Sequence, residues 1–575
     1  MKKNIIYIGL LALTLGVSLV SCNTDRLPET EMSDANFWNT ESDVRLAANF
    51  FYTTLPGLAE TSENWSADAY PNNNGNNISD GSRVAPTGSS DYSYYNIFQA
   101  NNLIEKAPGV IAKGADATAI NRYVGEARFF RAWYYFEMLK RFGGVPIITK
   151  TMKIDDPDVF KPRATRDEVL DLIYSDLDYA ISVLRTPDQL EAVKEYGRIS
   201  NTAALAFKAR VGLFEGTRAK FHSYGDPQKH LNIAKECAEK VMNSGQHALY
   251  STPTTAANGQ KLNDAYYNLF QEVGEGRVNK ENIIVRAYGV NVNNNVISHL
   301  TQRIYEGNNI VPTNNFVSRY LMADGLPITK SPLFKTPDAT MTHADFFKKR
   351  DPRMSFTLFK KGDEFIATTN YTIPNPTLQK SGYGIRKYAN KNDWTYQRSF
   401  IDRPVLRYAE VLLTYAEAVY ELTGSISDGD LDKTVNQLRA RLPQINIGTD
   451  SVPSYVSMTK LSNALVSSNG LDMREEIRRE RRIELAYEGF SYWDLIRWKT
   501  AEKELPQTLY GSYLFSEYLT KEGGWSKTTP VDNNNNYIIL QTATLRKFDV
   551  NKDYLWPLPT GEIAKNPKIE QNPGW

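Results

Sequence analysis

Cysteine is nearly absent: the 575 residues contain two, Cys22 and Cys237. With Cys22 assigned below to another role, no intrachain disulfide is expected. A chain this long buries enough apolar surface without one. Net charge is nearly absent too. The 67 basic and 66 acidic residues leave +1, which gives no electrostatic footprint for nucleic acid or another polyanion. Catalytic signatures are missing: there is no HExxH, GxSxG, Walker loop or paired CxxC. His222, His230, His247, His299 and His343 have no ligand-like spacing, so neither a metal nor a cofactor is expected. A glycosidase carboxylate pair is neither picked out nor excluded among the 66 acidic residues. Asp549, Asn551 and Asp553 alternate as in a calcium loop but lack the rest of an EF-hand, and they read as a turn. These absences point away from an enzyme.

Long apolar runs are also missing, except one. It spans Ile5 to Val20, shorter than the roughly 20 residues a membrane-spanning helix needs. Lys2 and Lys3 precede it and Ser21 follows, the parts of a secretory signal. Leu19-Val20-Ser21-Cys22 resembles a bacterial lipobox. That resemblance implies that residues 1–21 are a signal peptide and that Cys22, the first mature residue, carries acyl chains. Several chains together anchor a protein firmly to a membrane. Cys237 lies beside a helical face of Leu231, Ala234, Ala238 and Val241 and reads as a buried structural thiol.

Helix signals dominate from about residue 37 to 245. "GEARFFRAWYYFEMLKRFGGVP" is apolar over much of its girth, as in a helix packed on two sides, and Gly143-Gly144 stop it. Thr165-Arg166-Asp167-Glu168 reads as a capping box. "NTAALAFKARVGLFEG" carries small residues that permit close helix approach, and Asp226-Pro227 open the next helix. Residues 246–400 break into loops, short strands and short helices. Helices return at 403–500, where "AEVLLTYAEAVYELTG" and "DLDKTVNQLRARL" resemble a tetratricopeptide-like pair. "IRRERRIELAYEGFSYWDLIRWK" reads as one last long amphipathic helix with its exit. The charges of "REEIRRERRIELAYEG" read as a solvated, salt-bridged face with Glu475 and Arg479 four apart. The tail is irregular.

Several of these segments, in order, resemble the SusD/RagB family of outer-membrane lipoproteins. They are "GEARFFRAWYYFEMLKRFGGVP", "GRISNTAALAFKARVGLFEG", "PTNNFVSRYLMADGLPI", "RDPRMSFTLF", "RPVLRYAEVLLTYAEAVYE", "ERRIELAYEGFSYWDLIRW" and the ending "YLWPLPTGEIAKNPKIEQNPGW". The resemblance implies a mainly α fold of tetratricopeptide-like helical hairpins with an irregular, loop-rich second face and a few short strands. It divides the mature chain into an N-terminal helical region, 22–245, and a C-terminal region, 246–575. It also implies a partner, a SusC-like TonB-dependent transporter, over which the lipoprotein sits as a lid at the cell surface and delivers oligosaccharide. A RagB-like peptide-binding lid is the alternative.

The ligand-binding candidates are loop aromatics and their polar neighbours. The first irregular stretch carries Trp65, Asp68, Tyr70, Arg83, Tyr92, Tyr94 and Tyr95, and the resemblance places a ligand-facing loop there. Tyr94, Ile97, Ala100 and Asn101 fit the family's "Y..I..AN" helix, whereas Ser90 stands near its usual tryptophan. Tyr94 fits a packed helix position equally well. Trp394 and Tyr396 lie in the second irregular region, with Tyr305 and Tyr383 as weaker choices. Aromatic platforms suit the apolar C–H face of a pyranose, and Asp, Asn and Arg suit its hydroxyls. The expected arrangement is one exposed patch joining Trp394 to the Trp65–Tyr95 loop.

Overall fold

The computed structural model describes residues 37–57, 62–71, 76–153, 155–291, 294–296, 310–365, 369–391 and 400–575. Cys22, Tyr305, Trp394 and Tyr396 lie outside the described residues. The fold is predominantly helical, and its strands pair only into small two-stranded sheets.

Among the described residues, six helices of twelve or more residues build the first half: α1 (Glu41–Tyr52), α2 (Tyr95–Ala112), α3 (Ala117–Phe142), α4 (Arg166–Val183), α5 (Asn201–His222) and α6 (Pro227–Met242). Successive members from α2 to α6 pack against one another, so each helix buries two sides. That explains why α3 is apolar nearly all round: Phe129, Phe130, Trp133, Tyr135 and Phe136 are all buried. Local chemistry sets the ends. Thr165 and Glu168 cap α4 reciprocally, and Asp226 caps α6 with Pro227 at its first position. The α5–α6 contact requires glycine. A Cβ on Gly212 would stand 2.8 Å from the His230 carbonyl oxygen, and one on Gly216 would stand 2.8 Å from the Leu231 nitrogen. Cys237 is buried on α6, and burial pushes its thiol up to about 11, as fits a structural residue.

The second half adds α7 (Tyr408–Thr423), α8 (Asp428–Lys433), α9 (Val435–Ala440), α10 (Met473–Glu484) and α11 (Ser491–Trp498). Helix α7 packs on α6, and α11 packs on α5. Residues from both halves, from Trp38 to Ile569, share one hydrophobic core. A second cluster, around Phe316, Tyr320, Tyr383, Phe515 and Tyr518, lies under the irregular face.

Two expectations are corrected. The last long helix is two helices. Tyr487 and Gly489 take positive φ, and the Glu484 carbonyl that would continue α10 instead accepts from Arg407 Nη2 (2.6 Å) and the Tyr266 hydroxyl (2.9 Å). The charged face of α10 is not solvated either. Glu476, Arg478, Glu480, Arg481, Arg482 and Glu484 are buried. Arg353 meets Asp351 (2.7 Å), Glu480 (2.7 Å) and Glu484 (2.9 Å). Arg407 meets Glu281 (2.8 Å), Glu484 (2.7 Å) and Glu488 (2.8 Å). Arg441 pairs with Glu281 and Glu484, Arg439 with Glu480, and Lys387 with Glu488. Burial pushes the Glu484 carboxyl up, but Arg441, Arg407 and Arg353 outweigh it and hold the group well below the carboxylate range.

Removing one member leaves its partners charged and buried, so Arg407→Ala is expected to cost about 3–5 kcal/mol in urea unfolding at neutral pH. The network also sets an acid limit. Glu480, Glu484 and Glu488 all lie below their ordinary value of 4.5 when folded. Their stabilisation is complete above that value and is lost as pH falls towards the lower, folded-state values. Melting temperature should therefore fall steeply as pH drops below about 4.5, and a flat profile down to about pH 2 would contradict the assignment.

Candidate functional site

The candidate residues scatter into two groups once folded. Trp65 ends a short 3-10 turn, Ser62–Trp65, and is half-buried. Its ring meets Tyr492, Trp493 and Trp556 edge-on at 5.6, 6.4 and 5.2 Å. Asp68 is buried against Arg482, with Nε at 2.7 Å, and also accepts from the Ser491 hydroxyl. Tyr70 sits in the Ala69–Pro71 strand under the Lys380 ammonium, 4.8 Å away. Arg83 is buried between Trp556 (5.2 Å) and Trp575 (4.9 Å). Tyr92 packs on Phe142, and burial pushes its hydroxyl up to about 12. Tyr383, 1% exposed, belongs to the second core and donates to Asn314 Oδ1 (3.1 Å). These residues hold the frame together. The reason is similar throughout: each ring packs against, and each charge lies beside, a partner inside the protein, although the Arg83 nitrogens and the Tyr92 hydroxyl make no hydrogen bond.

The other group surrounds the start of α2. Tyr94 donates to the Pro146 carbonyl (2.8 Å). Asn101, 0% exposed, donates from Nδ2 to the carbonyls of Ile148 (3.0 Å) and Lys150 (3.2 Å). Its Oδ1 accepts from Arg131 (2.8 Å), which is fixed in turn by Asp176 (2.7 Å). Both residues therefore act as positioning residues: they lash the 146–150 segment to the inner side of α2. Asn101 is buried and does not face a ligand itself.

The outer side of α2 is different. Tyr95 is 60% exposed and Phe98 42% exposed. They stand three residues apart, so their rings share one helix face. Tyr95 leans edge-on against Phe50 at 6.1 Å, which limits its freedom. Phe98 also lines an open groove of about 820 Å³. Phe98, Asn102 and Lys106 form one wall, and Lys150, Lys153 and Asp156 belong to the facing one. Thr151 is tied to Glu105 through its nitrogen (2.8 Å) and hydroxyl (2.5 Å), and Lys150 holds Asp156 and Asp158 at 3.0 Å. The Asp158 backbone N–H and the Lys150 ammonium keep the Asp156 carboxyl below its ordinary range, so it stays an acceptor. Two exposed rings beside amide, carboxylate and ammonium groups suit a flat, hydroxyl-rich ligand.

Phe98 and Asn102 were missed by the reading of the sequence. Their signal was present: in "YNIFQANN" Ile97, Ala100 and Asn101 turn inward, which places Tyr95, Phe98 and Asn102 on the opposite face. A second, inner cleft borders Trp65, Trp133, Phe490 and Trp493, but its volume is only about 120 Å³. A cavity of about 150 Å³ holds one benzene, so this cleft is too small for a saccharide chain.

Residues 275–575 match the model of a family described as the SusD family. Residues 42–213 match one described as starch-binding and associating with the outer membrane. A SusD-like protein of Formosa agariphila is 29% identical over 529 residues, covering 86% of this chain and 91% of that one. A SusD-like protein of Bacteroides ovatus is 22% identical over 502 residues, covering 84% and 79%. A SusD-like carbohydrate binding protein from Bacteroides fragilis superposes with a TM-score of 0.69 at 24% identity, covering 93% of this chain and all of that one. A structure solved with xylogluco-oligosaccharide superposes with a TM-score of 0.58 at 20% identity, covering 91% and 95%. At these identities the structural likeness is one of fold.

The packing separates the two groups by experiment. Trp65→Ala should lower stability by about 3 kcal/mol, because the ring fills space among three other aromatics. Tyr95→Ala should stay within about 0.5 kcal/mol of wild type. Paired melting curves check this. Equal losses in both variants would place Tyr95 in the core.

Proposed function

The chain belongs to the SusD family, and we propose that it binds carbohydrate at the bacterial outer membrane without cleaving it. In this reading Cys22 carries the lipid anchor, the protein faces the cell exterior, and captured oligosaccharide passes to a SusC-like TonB-dependent transporter. Among the described residues no helix is long and apolar enough to cross a membrane, which is compatible with a lipid anchor. The observation that carries the ligand class is the exposed Phe98 ring in the wall of the 820 Å³ groove, with the exposed Tyr95 ring on the same face of α2. The carbohydrate-binding relative of the same fold and the description of the family matched at 42–213 support it.

The rings take the apolar C–H face of a pyranose, and their stacking contributes about 0.5–1.5 kcal/mol per contact beyond area burial. Asn102, Lys150 and Asp156 bond the hydroxyls at the edges. Because the 146–150 wall is lashed down by Tyr94 and Asn101 before ligand arrives, little ordering remains to be done on binding.

The test is a Tyr95→Ala/Phe98→Ala double variant. It should bind a retained polysaccharide about tenfold more weakly, a loss of about 1.4 kcal/mol, with an unchanged melting temperature. Affinity electrophoresis against a panel of polysaccharides identifies the ligand, and calorimetric titration measures it. Unchanged affinity would move the site elsewhere, reducing ends released from the polysaccharide would overturn binding without cleavage, and retention of peptides alone would overturn the carbohydrate reading.

A further inference from the structure

A groove of about 310 Å³ lies on the irregular face, between Met322 and Arg350. Its walls are apolar, with Leu333, Phe334, Met341 and Phe346. Four cations line it: Lys335, Lys348, Lys349 and Arg350. The one carboxylate in the lining, Asp345, is already held by Lys348 at 3.1 Å.

Arg350 stands out in this lining. It is 3% exposed, and its Nη2 donates to the carbonyls of Val317 (3.0 Å) and Tyr320 (2.9 Å). Its Nε and Nη1 are buried with no hydrogen-bond partner, and among the described residues no carboxylate pairs with it. Arg353, three residues on and equally buried, meets three carboxylates. Phe346 and Phe334 lie 5.1 and 6.0 Å from the Arg350 guanidinium and offset its charge only in part. Burial pushes the guanidinium down to about 10, which still leaves a cation at neutral pH. Buried charges are ordinarily paired, and a lone one is costly.

We propose that this groove binds a small anionic group, a sulfate or a carboxylate, on the unused donors of Arg350, with the Lys349 ammonium at the rim. Both Arg350 nitrogens are closed to solvent, so binding includes an outward swing of the half-buried Phe334 ring. The apolar walls would then take the C–H face of a sugar bearing that group. The shared chemistry has two sources, a free inorganic anion or an acidic substituent on a sugar. The proposal is independent of the Tyr95–Phe98 reading, because the two grooves share no residue.

The experiment titrates the purified chain with sodium sulfate, sodium glucuronate and glucose, at ionic strength matched with sodium chloride. Calorimetry and melting curves are read together. Sulfate and glucuronate should each bind saturably and raise the melting temperature by a few degrees, while glucose does neither. Tighter binding of glucuronate than of sulfate identifies an acidic sugar, and equal binding identifies a free anion. Arg350→Met should abolish both responses while melting at or above the wild-type temperature, since a buried unpaired charge is replaced by an apolar chain. That variant also subtracts the general stabilisation that sulfate gives any protein. Lys349→Asn, which suits the positive φ of that position, should weaken binding several-fold even if the arginine variant misfolds. No saturable binding by the wild type, or an undiminished response in these variants, overturns the proposal.

Discussion

Five buried cations and five buried carboxylates close on one another at the centre of the second half: Arg353, Lys387, Arg407, Arg439 and Arg441 with Glu281, Asp351, Glu480, Glu484 and Glu488. Transfer of each ion out of water costs several kcal/mol, and only a fully paired arrangement offsets it. The members come from segments far apart in the chain: the strand at Arg403–Arg407, helix α10, the end of α9, the short helix Pro352–Thr357 with Asp351 at its cap, and the loops that carry Glu281, Lys387 and Glu488. A shift of any segment would strand a charge. The irregular face, poor in regular hydrogen-bonded structure, is therefore held in register by electrostatics. The same network takes the Glu484 carbonyl and so forces the break between α10 and α11.

A second kind of contact joins the C-terminal tail to the helices. Trp575, Arg83, Trp556, Arg141 and Trp493 follow one another as alternating rings and cations, each cation about 5 Å from its neighbouring ring centroids. Trp65 abuts this ladder through Trp493 and Trp556. A loop that reads as ligand-facing is in this way recruited into the frame. The groove at α2 depends on the frame indirectly: Asp176 orients Arg131, Arg131 orients Asn101, and Asn101 holds the wall that faces Phe98.

Both α2 and α10 show how far local pattern reaches. In α2 the inward residues were legible, because an apolar helix face repeats at fixed spacing. The outward rings were legible by subtraction. In α10 the spacing Glu475–Arg479 satisfied a rule for surface pairs, yet the observed local pairs are Glu475–Arg478 and Glu476–Arg479. The remaining charges reach partners between 13 and 414 residues away along the chain. Nothing within one helix distinguishes an arginine that meets water from one that meets a distant glutamate.

What the sequence determined by itself were features whose causes lie within a few residues: the caps at Thr165 and Asp226, the glycines of α5, the stop at Gly143 and the helical character of both halves. The ordered motifs also determined the family. What only the tertiary structure decided was the environment of residues of identical type. Tyr92, Tyr383 and Tyr95 are the same side chain, but Phe142 covers the first, the second core encloses another, and the last keeps 60% of its surface. Arg353 and Arg350 differ likewise, one in ion-pair contact with three carboxylates and the other, among the described residues, with none. Burial and charge pairing are set by atoms brought together from remote segments, and such contacts leave no periodic mark on the chain.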